Sequence, residues 1–117
     1  MKRKITYDQT INIGYIYITP RKKHVKIKET IELDVNECIN VDIDHEDRVD
    51  GLELFAEEAK VLRHTPVHED AYSLRFTDQD ILSTYHFSGI EFHFSMPDHQ
   101  GLIGFKIVDH LKYNVLL

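Results

Sequence analysis

Ile39–Leu54 reads INVDIDHEDRVDGLEL and Phe92–Ile107 reads FHFSMPDHQGLIGFKI, with Gly51 falling on Gly104. Upstream, Ile13–Pro20 (IGYIYITP) matches Ala71–Asp78 (AYSLRFTD), and Thr19 falls on Thr77. One β-rich phrase thus occurs twice, the signature of a repeated structural unit. The second copy decides a face that the first leaves open. Ile11–Thr19 could bury either Ile16 and Ile18 or Tyr15 and Tyr17. The matching strand carries Leu74 and Phe76 on one side and Ser73 and Arg75 on the other. Ile16 and Ile18 therefore belong to the core, and Tyr15 and Tyr17 to the opposite face.

Outward from these segments the dominant period is two. Ile31, Leu33 and Val35 alternate with polar residues, as do Ile39, Val41 and Ile43. Such alternation makes strands with one dry and one wet face. Parity favours a three-residue loop, Asn36-Glu37-Cys38, which pairs Val35 with Ile39, Leu33 with Val41 and Ile31 with Ile43. In the second copy a two-residue turn at Ser88-Gly89 pairs Phe87 with Ile90 and Tyr85 with Phe92, glycine supplying the positive φ. Each copy ends in a strand beginning at Gly51 or Gly104, and a short helix follows. Phe55, Ala59 and Leu62 share one helical face in the first copy, and Asp109 is the N-cap in the second. Lys4–Tyr7 forms an initial strand with no counterpart in the second copy.

The expected fold is mainly β with minor α: two degenerate tandem antiparallel β-meander units, each ending in a short helix. The first unit spans about 4–62, a polar link 63–70, and the second unit about 71–117. A unit of this size buries only about 60% of its unfolded surface. The two are therefore expected to cover one another as an intrachain pseudo-dimer, making residues 1–117 a single domain. The alignment equates Ile43 with Met96, and the two should then occupy like settings.

Composition narrows the function classes. Of 117 residues, 42% are hydrophobic and 29% charged, the ordinary globular range. A net charge of −6 argues against nucleic acid as a partner. No apolar run approaches the roughly 20 residues of a membrane span, and Met1-Lys2-Arg3-Lys4 is not followed by the apolar run of a signal peptide. Cys38 is the single cysteine, so no internal disulfide forms. A cytoplasmic protein with no membrane partner is the expectation.

The ordered patterns Tyr7-Asp8, Tyr15–Thr19, Thr30–Leu33, Ile39–Asp44 and Arg48–Leu54 resemble a small prokaryotic family, domain of unknown function 2283. The resemblance covers about residues 4–62, with a weaker echo over 71–112, where Ser95-Met96-Pro97 replaces the acidic pair. It implies a compact β-rich module, and it transfers no catalytic residues. It also implies an accessory role beside other small proteins.

The candidate sites are few. Glu32, Asp34, Asp42 and Asp44 line a wet face, with Glu32 placed opposite Asp42. Asp42, Asp44, Glu46, Asp50 and Glu53 have calcium-loop spacing, but Asp47 stands where glycine is required. His86, Glu91 and His93 project from one face of the second hairpin and are the candidate metal ligands, one short of the four of a structural zinc site. Arg21-Lys22-Lys23-His24 is the basic cluster, read as a charged loop. Cys38 has no electropositive neighbour to activate it, and no glycine-rich phosphate loop occurs. Tyr15 and Tyr17, with Leu116 and Leu117 at the chain end, form the candidate interaction surface. The sequence therefore reads as a non-enzymatic interaction or accessory module without cofactors, engaging a protein partner or a second copy of itself. The alternative is a small-ligand or metal-binding protein using His86, Glu91 and His93.

Overall fold

A computed structural model of the chain describes residues 2–18 and 26–114. In the first half, β1 (Ile5–Asp8), β2 (Ile13–Tyr17), β3 (Ile27–Leu33), β4 (Asn36–Asp44) and β5 (Val49–Phe55) are followed by α1 (Ala56–Ala59) and a 3₁₀ turn (Lys60–Arg63). The second half holds β6 (His68–Asp70), β7 (Ser73–Arg75), β8 (Ser83–Phe87), β9 (Ile90–Phe94) and β10 (Leu102–Ile107). Every pairing is antiparallel. The first sheet runs β1-β2-β5-β4-β3 and the second β6-β7-β10-β9-β8. Counted from its own first strand, each sheet has the same order, which is compatible with two tandem units.

The order corrects three expectations. Neither unit is a simple meander, because the last strand of each, β5 or β10, lies against the second strand. The initial strand β1 does have a counterpart, β6, so the link narrows to residues 64–67. The second unit also lacks its helix among the described residues. Residues 110–113 make turns in which Asp109 accepts from the Lys112 N–H, as a cap does, but no α-helix follows.

Strand register supplies two further corrections. Val41 pairs with Leu52, and Phe92 with Phe105. Val41 is therefore the equivalent of Phe92, two residues from the ungapped alignment, because the β9–β10 connection is two residues longer. Ile43 then corresponds to Phe94; both are buried, whereas Met96 is 49% exposed in the connection. A slip of two preserves parity, so the face assignments survive it. In the first hairpin Ile31 pairs with Val41, and the register shifts between Glu32 and Leu33, whose partner is Asn36. The chain turns at Asp34-Val35, and an irregularity at residues 37–39 replaces the three-residue loop. The second hairpin folds as its sequence requires, with Ser88 at φ 51° and Gly89 at φ 79°. Positive φ at both turn residues matches the strand twist.

The inner faces of the two sheets contribute to one continuous buried cluster. Ile16, Ile18, Val41, Ile43 and Leu52 meet Leu74, Phe76, Phe92, Phe94 and Phe105 there, each at most 4% exposed. The radius of gyration is 13.2 Å, close to the roughly 13 Å of one compact body of this length. Two beads on a string would be longer, so the halves pack against one another as one body.

Polar clasps lock the halves reciprocally. Glu58, 5% exposed on α1, accepts from the Gly101 and Leu102 N–H groups at 3.1 and 3.3 Å and from Asn36 Nδ2. Tyr113, buried after β10, accepts from the Val49 N–H at 2.9 Å. Val49 and Leu102 hold equivalent places at the start of β5 and β10. Each half thus caps the closing strand of the other. A third clasp is one-sided: Arg3 donates to Asp70 O and Ala71 O, and its guanidinium lies 5.3 Å from the centre of the Phe105 ring.

Candidate functional site

The two wet faces explain most of the residues singled out in the sequence. Tyr15 lies across β5 at Gly51, where an added Cβ would fall 2.2 Å from its hydroxyl oxygen. That hydroxyl donates to Asp42 Oδ2 at 2.6 Å, and Thr30 Oγ1 donates to the other Asp42 oxygen. The ring therefore covers the space that glycine leaves in the neighbouring strand. Tyr17 packs beside Tyr15, with ring centroids 4.7 Å apart, and Lys4 Nζ lies 5.6 Å from its ring centre. Both tyrosines are half-buried. Leu116 and Leu117 lie outside the described residues, as does the Arg21–His24 cluster.

The acidic residues do not converge. Thr30, not Glu32, stands opposite Asp42, and Glu32 faces Asn40. Asp44 instead closes the β4–β5 turn, accepting from the Glu46 and Arg48 N–H groups and from Arg48 Nε. Burial pushes its pKa upward, but these hydrogen bonds outweigh that and hold it below the ordinary aspartate value. Cys38 goes the other way: burial, then the nearby carboxylates led by Glu37, raises its pKa and disfavours the thiolate.

His86, Glu91 and His93 do come together. His86 faces Glu91 across the hairpin, and its Nε2 lies 2.8 Å from Glu91 Oε2. His93 Nε2 lies 2.7 Å from Oε1. The carboxylate sits between the rings and occupies the nitrogen that each turns inward. Hydrogen bonds from His86 and His93 hold Glu91 below its ordinary pKa. Among the described residues, no group of three or more His, Cys, Asp or Glu is placed to hold a metal ion. As arranged, the trio is a hydrogen-bonded network rather than an open ligand set. A shallow cleft of about 210 Å³ between the halves is lined by Glu58, Lys60, His64, Thr77 and Gln79, among others, but Glu58 already fills its best donors, the Gly101 and Leu102 amides.

The surface that sequence reasoning missed is the edge formed by β8. Among the described residues, three of the four edge strands are blunted, each by a different device. β1 ends in the charged Asp8, and the 3₁₀ turn packs against the strand, Arg63 Nε donating to the Tyr7 hydroxyl. β3 carries Lys28, Glu29 and Glu32 and two register shifts. β6 is three residues long, and Arg3 engages its Glu69. β8, Ser83-Thr84-Tyr85-His86-Phe87, has regular register throughout and no carboxylate, lysine or proline. Its two-residue turn makes Phe87 and Ile90 a bonded pair, so Tyr85 also bonds to β9 while Thr84 and His86 turn their backbone groups outward. Among the described residues, His99 reaches the backbone of this edge, donating from Nε2 to Thr84 O at 3.0 Å, and Met96 O accepts from Ser83 Oγ. At one end of the strand lie Ile81, Leu82 and Met96, 39%, 58% and 49% exposed. The signal was present in the sequence: a neutral alternating strand behind a tight turn, preceded by an apolar pair. What hid it was the edge position, which only the strand order reveals.

A compact two-sheet protein of this kind can be set against known proteins. Residues 4–56 match the model of a family described as "Protein of unknown function (DUF2283)", as the resemblance implied. Across nearly its whole length the chain is similar to the uncharacterized protein YuzE of Bacillus subtilis (strain 168), at 29% identity over 123 residues, 98% of this chain and 95% of that protein. No solved structure matches. No helix among the described residues is long and apolar enough to cross a membrane.

Proposed function

We propose that the protein is a non-enzymatic cytoplasmic interaction module whose contact surface is the β8 edge with its apolar rim. One observation carries this reading: β8 is the sole regular, carboxylate-free edge strand among the described residues, and exposed Ile81, Leu82 and Met96 flank it. An unpaired edge offers a row of backbone donors and acceptors, and an adjoining apolar rim adds area to any strand that pairs with it. The tyrosine face is a weaker candidate, since Tyr15 is already committed to Asp42 and Gly51.

Photocrosslinking in cells tests the reading. Benzoylphenylalanine is placed at Leu82 and, as a control, at Glu46 in the exposed β4–β5 turn. Protein adducts are expected from position 82 and not from 46. Adducts from neither position, or from 46 alone, contradict the proposal.

A further inference from the structure

We infer that the partner at this edge is a second copy of the chain, related by a two-fold axis through Tyr85, so that two copies of the second sheet run on as one. The inference rests on the reading of β8 as the contact edge and commits it to one occupant.

Register is the first argument. Antiparallel self-pairing about Tyr85 sets Thr84 opposite His86 of the other copy, and His86 opposite Thr84. These are the two residues whose backbone groups point outward: each Thr84 N–H meets the other copy's His86 O, giving two inter-copy hydrogen bonds, while each His86 N–H meets Thr84 O, an acceptor that His99 Nε2 already holds and must share or release. Tyr85 meets its own mate on the axis as the unbonded pair, where side chains approach closest. Parity is also right. Both tyrosines lie on the inner face of their sheet, and both Thr84 and His86 on the outer, so no side chain is forced to the wrong side. Self-pairing elsewhere fares worse. At β6, His68-Glu69-Asp70, it would set carboxylates against carboxylates, and at β3 the register shifts break the ladder.

The second argument is where the exposed apolar residues fall. Ile81, Leu82 and Met96 lie at the start of β8. At its other end, the chain after β10 folds onto the Ser88-Gly89 turn, with Val108 and Asp109 donating to Gly89 O and Tyr113 donating to Ser88 O. That segment exposes Val108 (48%) and Leu111 (87%). Antiparallel pairing sets Leu82 opposite Ser88 of the other copy. The two apolar groups, separated by the length of β8 in one chain, then meet across the axis, twice. A patch on each end that matches the opposite end is what an isologous interface requires. The remaining exposed large apolar residues among those described, Ile11 and Val67, lie in other parts of the chain.

Light-scattering mass measurement across a concentration series tests the inference, with the Leu82 crosslink as a second readout. The wild-type chain is expected to show twice the 13.8 kDa protomer mass at about 100 μM. Thr84→Pro removes an outward donor, and Leu82→Asp places charge in the rim. Each should raise the dissociation constant at least about tenfold. Leu82 is more than half exposed, so its variant retains the fold and keeps the test valid if Thr84→Pro unfolds. A wild-type chain that stays at 13.8 kDa, or a dimer that both folded variants leave intact, overturns the inference. Leu82 adducts whose mass is not that of two protomers overturn it too, while leaving the interaction reading standing. A monomer without Leu82 adducts removes both.

Discussion

Where the first sheet buries aliphatic side chains, the second buries phenylalanines at the equivalent places. Ile18 corresponds to Phe76, Val41 to Phe92, Ile43 to Phe94 and Leu52 to Phe105, and all eight are at most 4% exposed. Strand order is the same in both sheets, so backbone plan and core filling have parted company. Two equal faces of either kind would leave voids or clash, whereas large against small interdigitates to native density. The comparison teaches that the halves are complementary rather than interchangeable. Their edges also differ: β3 is charged and irregular, while β8 is neutral and regular.

Truncating the large partner should reveal the asymmetry most strongly. Phe92→Ala is expected to cost about 3–5 kcal/mol, and Val41→Ala about 2, by urea denaturation. Equal losses would mean that the aromatic half carries no larger share of the core. The equivalent glycines give the next contrast. A Cβ on Gly104 would meet the Leu74 carbonyl oxygen at 2.3 Å, a backbone atom that cannot swing away. On Gly51 it would meet the end of the Tyr15 ring, which can move at the cost of its bond to Asp42. Gly104→Ala should therefore cost about 3 kcal/mol and Gly51→Ala about 1. Reversed values would show that Tyr15 is held more rigidly than the β7 backbone. Tyr113→Phe breaks one arm of the reciprocal clasp and leaves the Val49 N–H without its acceptor, a loss of about 1–2 kcal/mol in the same assay.

The smallest effect concerns acid stability. Hydrogen bonds from His86 and His93 place the folded pKa of Glu91 below its ordinary 4.5. A depressed carboxylate contributes stability that is fully present above the unfolded value and is lost as pH falls through the folded one. Glu91→Gln lacks that contribution, so its melting temperature should fall less than the wild type's as pH drops below about 4.5. Parallel curves would mean that the trio contributes nothing to folding.

Most of the plan was legible because alternation and parity survive small alignment errors. Ile16, Ile18, Leu74 and Phe76 were placed correctly by comparing copies, and the Ser88-Gly89 hairpin by turn chemistry alone. Failures arose where local patterning carries no information about partners. The first hairpin needed an irregularity in β4, and two added residues between β9 and β10 moved Met96 out of the core. Lys4–Tyr7 was read, but its counterpart His68–Asp70 is polar and too short to declare itself. His86, Glu91 and His93 were rightly placed together, yet alternation could not tell that Glu91 would lie between the two rings. Glu58 and Tyr113 gave no signal, because their roles depend on the other half being present.

Native-state hydrogen exchange addresses the shared core most directly. If each sheet exists only by covering the other, the amides of Leu52 in β5 and Phe105 in β10 open at the same free energy, that of global unfolding. Exchange of one sheet at a clearly lower free energy, while the other stays protected, would contradict a common core and leave two separate domains.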